Sequence, residues 1–313
     1  MQSKKFDFIK NCKYFIIGYA AIILIGVVIF SIFGANLSID FKGGTMFTYT
    51  YSGELKLEEA TTVIKDTLKT DVTVTEIAGY NDSSKKLVVT LVSDESVSAD
   101  LQSKMLNALT TKFKDNNVAI GDSNSVSPTV AGTFFLKCLV AVLLASILVV
   151  IYVGIRFRKI GGVSAGLFSL LSLLLDCLIA FCTCVFFRLE IDSNFMSVIL
   201  TILGYSLNDT IVIYDRLREN TKMYPSMNFY ESVNASINQS LGRTIKTSVA
   251  TLAAIVTVII VAEIFGLVSL RSFAIPMAVG IVSGCVSSVA LSCPLWYKWQ
   301  SKFNKNSKAK NAA

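Results

Sequence analysis

The polarity of the chain changes on a long period. An apolar run covers Tyr14 to Phe33, and a polar stretch follows from 36 to 130. Five further apolar runs lie near 132–154, 161–187, 194–215, 243–265 and 271–297. A helix crosses the hydrocarbon of a bilayer with about 20 apolar residues, so each run predicts one span. Only a few residues around Glu263 to Arg271 separate the last two runs, which predicts a tight hairpin between antiparallel spans. The first run follows four lysines, as a signal peptide would, but it exceeds a usual signal core. Its end, Ser31 to Ala35, also offers no small-x-small cleavage site; it reads as an uncleaved span. The expected divisions are 1–35 (amino terminus and span one), 36–130 (a polar domain), 131–300 (spans two to six) and 301–313 (a basic tail).

Shorter periods appear inside the polar stretch. Met46 to Tyr51, rich in Thr and Tyr, reads as a strand, and Val72 to Ile77 alternates as a half-buried strand does. Leu87 to Val92 predicts a third strand, and Val118 to Ile120 begins a weak fourth. Leu57, Ala60, Val63, Ile64 and Leu68 carry helical spacing, as do Leu101, Met105, Leu109 and Phe113. Asn81 to Ser84 is a turn cluster. The order β-α-β-β-α-β predicts a ferredoxin-like α+β domain, a fold that names no function by itself. Between spans four and five, Phe229, Val233, Ile237 and Leu241 recur every four residues. This predicts a short amphipathic helix near 226–241, lying on the membrane surface or packed on the bundle.

Composition agrees with a membrane protein: 53% of the residues are hydrophobic and 16% charged, against roughly a quarter charged in soluble domains. Basic residues cluster at Lys4 to Lys13, Arg156 to Lys159, Arg216 to Lys246 and Lys298 to Lys310, whereas the short opposite loops hold Arg188 and Arg271. The positive-inside bias then puts both termini in the cytoplasm and the polar domain outside. The net charge of +7 reflects that bias and gives no sign of a nucleic-acid partner. There is no histidine, which removes the Ser-His-Asp triad, the Cys-His pair and the HExxH zinc site. No P-loop and no metal-ligand set is present, so an enzyme is not expected, nor a bound metal or cofactor. None of the seven cysteines falls between 36 and 130, which argues against a disulfide-stapled domain. Cys182 and Cys184 lack the second pair that a zinc site needs.

Polar groups inside the spans carry the remaining information, since a charge at bilayer centre costs about 2.5–3.5 kcal/mol on insertion scales. Asp209, in Gly204 to Asn220, lies about 20 Å along span four. Ser206 is three residues back, and Asn208 and Thr210 flank it. Such a carboxylate can load and release a proton, or hold Na⁺ with nearby hydroxyl and amide oxygens. A structural hydrogen bond between helices is the plainer alternative. Arg243, at the start of span five, can reach up as a counter-charge or snorkel to the surface; Lys246 competes for the role. Asp176 is the other acid within a span, expected to join a relay or a polar contact. Asp215 reads as a boundary residue or local ion-pair partner, and Glu263 sits near the outer end of span five.

Three motifs resemble one known family. Gly204-Tyr-Ser-Leu-Asn-Asp-Thr-Ile-Val-Ile-Tyr-Asp-Arg-Leu-Arg-Glu-Asn220 is similar to the fourth-span signature of the SecF branch of the SecD/SecF protein-export family. Ile39-Asp-Phe-Lys-Gly-Gly-Thr45 resembles its motif at the exit of span one, and Ile237-Asn-Gln-Ser-Leu-Gly-Arg-Thr244 the motif leading into span five. The resemblance, which spans essentially the whole chain, implies a place in the resistance-nodulation-division superfamily. It also implies pairing with SecD, association with the SecYEG channel, and use of the proton or Na⁺ motive force to promote export of unfolded secretory polypeptides. The location it implies is the bacterial cytoplasmic membrane, in contact with lipid. By motif position the essential acid falls on Asp209 and the essential base on Arg243. Asp176 matches the acid of a His-Asp pair, with Leu175 where the family often has histidine. Two other readings remain: half of a small-molecule or lipid exporter, and a scaffold that only stabilises the channel.

Overall fold

The computed structural model of the chain describes residues 6–68, 72–77, 85–91, 99–265 and 267–310. The turn expected at 81–84, and Lys4 and Lys5, lie outside these residues. Among the described residues, six helical stretches are long and apolar enough to cross a membrane. They are α1 (Phe8–Phe33), α5 (Pro128–Arg156), α6 (Gly162–Phe186), α7 (Ser193–Met223), α8 (Phe229–Ile264), and α9 (Val268–Ser287) continued by α10 (Cys293–Lys310). The start of α1 and the start of α10 share one end of the bundle, where Phe8, Phe157, Tyr214 and Trp296 pack into one cluster. The polar domain leaves the other end.

That domain contains β1 (Gly44–Tyr51), α3 (Leu57–Leu68), β2 (Val72–Ile77), β3 (Lys85–Leu91), α4 (Ala99–Lys112) and β4 (Ala119–Val126). The sheet order is β2-β3-β1-β4 and every neighbouring pair is antiparallel. Phe47, Tyr49, Tyr51, Leu87 and Val89 point to one face of the sheet, where Ile64 of α3 and Met105 and Leu109 of α4 cover them. β4 continues well past Ile120, through the polar run Gly121 to Ser125. It is an edge strand, with β1 on one side only, so its polar side chains can face water while its backbone pairs.

The junction between bundle and domain explains the paired glycines. A four-residue helix, α2 (Ile39–Lys42), ends at Gly43 with φ +75°. A Cβ on Gly43 would lie 2.7 Å from the Pro128 Cα, where α5 begins behind its Ser127 cap with proline in the first turn. The chain must therefore turn left-handed there and pass against backbone, and glycine does both. Beside it, Leu37 bridges Ile191 between α6 and α7, and the Ser193 backbone N–H donates to Asp40 Oδ2 at 3.1 Å.

Two spans are longer than their apolar runs. The amphipathic segment expected as a separate helix near 226–241 is instead the first part of α8, which runs unbroken for 36 residues. Gly242 at the expected break has open space around it and costs only about 1 kcal/mol in helix propensity. The segment packs on the bundle: Phe229, Tyr230, Val233, Ile237 and Leu241 join the cluster around Trp296. The Tyr230 hydroxyl donates to Asp7 at 2.5 Å and the Phe8 N–H to Asn234 at 3.1 Å. α7 likewise continues to Met223, held by Asn220, which donates to Ser236 at 2.8 Å and Gln239 at 2.9 Å. The basic tail expected from 301 continues α10 as helix to Lys310.

The last span contains a π-helical turn, Ser288–Ser292, between α9 and α10. Pro294 follows it, lacking an N–H for the carbonyl four residues back and crowding that carbonyl; a wider turn relieves both. Gly280 and Gly284 press α9 against α7, so that a Cβ would strike Ile202 and Ser206. Gly284→Val is expected to force these helices apart at a cost of about 1–3 kcal/mol. Thermal unfolding in detergent should show it, with Gly132→Val, where a Cβ meets nothing, as the control that leaves the midpoint nearly unchanged.

Candidate functional site

Among the described residues, two acids are buried within the helical bundle, Asp176 on α6 at 0% exposure and Asp209 on α7 at 2%. Their surroundings differ. Asp176 is enclosed by hydroxyls: Ser206 donates to Oδ2 at 2.9 Å, Ser287 to the same oxygen at 2.7 Å, and Ser283 to Oδ1 at 2.6 Å. Tyr19 of α1 adds an outer contact, donating to the Ser283 carbonyl at 2.8 Å. Side chains of α7 and α9 thus converge on one carboxyl of α6, with α1 behind them. Hydrogen bonds to a charged group are worth about 1.5–3 kcal/mol each.

Local sequence builds this cage. Ser283 and Ser287 are four residues apart and share a face of α9, the face that Gly280 and Gly284 bring close to α7. The π turn then carries Ser288 inward as well. Its hydroxyl donates to the Ser206 carbonyl at 3.1 Å and accepts from Thr210 at 3.0 Å. Leu175, beside the acid, packs in an apolar cluster with Cys12, Tyr19, Ile179 and Leu291.

Asp209 faces α8. Its Oδ2 has no hydrogen-bond partner, and neither do the hydroxyls of Thr244 and Ser248, which share one face of α8. Ser248 is the polar neighbour of the Asp209 carboxyl, and Cys285 of α9 adjoins the pair. Buried polar atoms without partners are few in native proteins, and each asks for a reason. A carboxylate oxygen left unpartnered is free to take a proton or a cation without breaking a contact of the fold.

The residues expected around Asp209 are distributed differently. Ser206 and Thr210 belong to the Asp176 network, because Ser206 points between α6 and α9 while Asp209 points to α8. Asn208 is exposed on α7 and does not join them. Arg243 is exposed and forms no ion pair among the described residues. It precedes Ser248 by five residues, about 7.5 Å along the helix. There it lines a cavity of about 480 Å³ with Asp215, Arg216, Arg218 and Glu219. Asp215 is the local ion-pair partner, 3.0 Å from both Arg156 and Arg218. Lys246 is exposed, and Glu263 pairs with Arg271 at 3.1 Å across the α8–α9 hairpin. Sequence reasoning missed Tyr19, Ser248, Ser283, Ser287 and Ser288. The available signal was the pair of serines one turn apart in an otherwise apolar span.

Comparison with known proteins places these features in a family. The model for the protein export membrane protein SecD/SecF, C-terminal, matches residues 104–302, and the SecD/SecF GG motif matches 28–54. The chain is 31% identical over 302 residues to the protein translocase subunit SecF of Alicyclobacillus acidocaldarius, covering 96% of this chain and 95% of that one. It is 34% identical to the protein translocase subunit SecDF of Bacillus subtilis, covering 98% of this chain and 40% of the relative. Among solved structures, SecDF of Thermus thermophilus, described as translocon-associated, matches with a TM-score of 0.81 at 27% identity. That match covers 96% of this chain and 39% of the other. A super-membrane-facing form of SecDF matches with a TM-score of 0.69 at 27% identity.

The two acids are expected to separate in stability measurements. Asp176→Ala strands three donors, and its unfolding midpoint in detergent should fall by about 5 °C or more. Asp209→Asn loses no hydrogen bond at Oδ2 and should stay within about 2 °C of the unchanged protein. Equal shifts would contradict this division of roles.

Proposed function

The chain belongs to the SecD/SecF protein-export membrane protein family, and on that premise we propose that it is the SecF-type subunit of an accessory complex that uses an ion gradient to promote protein export through the Sec channel. The observation that carries the reading is the Asp209 carboxylate, buried between α7 and α8 with one oxygen unpartnered and unpartnered hydroxyls on the facing helix. It is the ion-coupling group; the ion is H⁺ or Na⁺. Arg243, unpaired on α8, is the cation that answers its change of charge. Asp176 is the fixed partner, and with Ser206 and Thr210 it holds α7 against α6 and α9.

The bias of basic residues supports an orientation with both termini in the cytoplasm and the polar domain outside. The strand order β2-β3-β1-β4 with both helices on one face supports reading residues 36–130 as a ferredoxin-like external domain. Residues 131–300 form the rest of the transport bundle, and 301–313 a basic cytoplasmic tail. The membrane is the bacterial cytoplasmic membrane.

SecD is the partner that completes the site. Asn208, Arg243 and Thr247 are exposed polar groups on α7 and α8, and polar groups within a membrane turn toward protein or water rather than lipid. A second six-span subunit would cover them, which fits relatives that carry this sequence as two fifths of a longer chain. One charge crossing the membrane field supplies about 2.3 kcal/mol per 100 mV. Loading and release at Asp209 then bias two arrangements of the bundle. The external domain moves with them, gripping and releasing an unfolded secretory polypeptide as it leaves the SecYEG channel.

In cells lacking the native copy, Asp209→Asn is expected to lower export of a secreted reporter by about tenfold, with normal membrane levels of both the variant and its partner. Unchanged export would remove Asp209 from the mechanism and favour a scaffold. Repeating the assay across Na⁺ concentrations at fixed pH identifies the ion: dependence on added Na⁺ assigns Na⁺, and indifference to it assigns H⁺.

A further inference from the structure

A second cavity lies far from both acids, at the end of the bundle where α1 and α10 begin. It measures about 320 Å³, sits between the α5–α6 turn and α10, and is lined by Arg158, Gly161, Ser164, Trp299 and Phe303 among others. Among the described residues its cation has no counter-charge. Arg158 is exposed and forms no ion pair among the described residues, and no carboxylate lines the cavity. Lys302, also exposed, follows Trp299 by three positions and shares its face of α10.

The floor is polar and fixed. The Ser164 hydroxyl donates to the Gly161 carbonyl at 2.7 Å and accepts from the indole N–H of buried Trp296 at 3.0 Å. The wall is aromatic: the rings of Trp299 and Phe303 stack with centroids 5.5 Å apart and planes 15° from parallel. Trp299 is 44% exposed. Aromatic side chains with this placement mark the boundary between hydrocarbon and headgroups. From the mouth of the cavity an exposed apolar stripe runs along α6 into the membrane, through Val163, Leu167, Leu171 and Leu174.

An unpaired cation at headgroup depth, continuous with an apolar stripe toward mid-bilayer, fits an amphiphile with an anion at one end. Free phosphate would use the cation and leave the stripe uncovered; a lipid without net charge would use the stripe and leave Arg158 unanswered. We propose that this cavity binds the headgroup of an anionic phospholipid, with its acyl chains along the α6 stripe. Basic pockets between membrane helices recognise such headgroups by the same means. The inference requires only that the helices sit in a bilayer, and so stands apart from ion coupling at Asp209.

The chain has two tryptophans, one buried and one in the cavity wall, which makes a direct test available. The full chain is placed in vesicles of phosphatidylcholine and phosphatidylglycerol, with bromine on the acyl chains of one lipid or the other. Quenching of Trp299 is expected to reach half its maximum at about fivefold lower mole fraction of brominated phosphatidylglycerol, the factor that one basic side chain near an anionic surface is worth. Trp299→Phe should abolish the difference. Arg158→Gln, which removes the cation lining the cavity, should bring the two curves together, whereas Lys302→Gln, outside the lining, should keep most of the preference, with unchanged Trp296 emission showing that the variants are folded. Coincident curves in the unchanged protein, or a preference that survives Arg158→Gln, would overturn the proposal. Failure of either lipid to quench would overturn it in favour of a protein partner on this face, and loss of the preference on adding inorganic phosphate in favour of a free anion.

Discussion

The bundle depends on the need to satisfy one buried carboxylate. Asp176 is enclosed by protein, so its oxygens must find donors on neighbouring helices. They find three serine hydroxyls, one from α7 and two from α9. Serine is short, so backbones must come close, and the glycines at 280 and 284 permit it. The π turn after α9 and Pro294 beyond it fit the same requirement, because the wider turn also brings Ser288 against Ser206 and Thr210. Hydrophobic burial does not drive such contacts between helices in lipid. Close packing and hydrogen bonds between small residues do, and both meet at Asp176.

That arrangement makes the other acid available. Ser206 of α7 is tied to α6 and α9, whereas Oδ2 of Asp209, one turn further on and facing α8, has no partner. A carboxylate that anchors several helices is poorly placed to exchange an ion, since each exchange would loosen the anchor. A carboxylate with an unpartnered oxygen can change charge while the anchor holds. A satisfied acid at the α6–α7–α9 contact and an acid with an unpartnered oxygen at the α7–α8 contact therefore lie close together in the bundle.

Much of this was legible in the sequence, and the rest was hidden for physical reasons. Span positions followed from apolar runs, because hydrocarbon thickness leaves little freedom. Helix α3 and strand β2 appear where periodicity put them, since each buries one face on a core. The lengths of α7 and α8 beyond their apolar runs were hidden, because Asn220, Ser236 and Gln239 reveal their contacts only once the helices are side by side. The extent of β4 was hidden because an edge strand needs no apolar alternation. Asp209 was singled out correctly as a buried acid, but Ser206 and Thr210 beside it serve Asp176. A spacing of three or four residues places side chains on neighbouring faces without telling which helix each face meets.

The coupling from α7 to the polar domain is short. Its first residue, Ser193, donates its N–H to Asp40 on α2, and the preceding strand segment pairs with residues 36–38 through the Ile191 N–H to the Asn36 carbonyl at 2.8 Å and the Ser38 N–H to the Ile191 carbonyl at 3.0 Å. α2 leads within two residues into β1, the central strand to which both β3 and β4 are hydrogen-bonded. Gly43 is wedged against Pro128, and the Phe41 ring lies 5.6 Å from that of Phe134 on α5. α7 is therefore joined to α2 by one hydrogen bond, and α2 packs against α5. The paired glycines at 43 and 44, both at positive φ, stand at that junction. The left-handed turn and the close pass of Gly43 against Pro128 fix the direction in which β1 leaves the bundle.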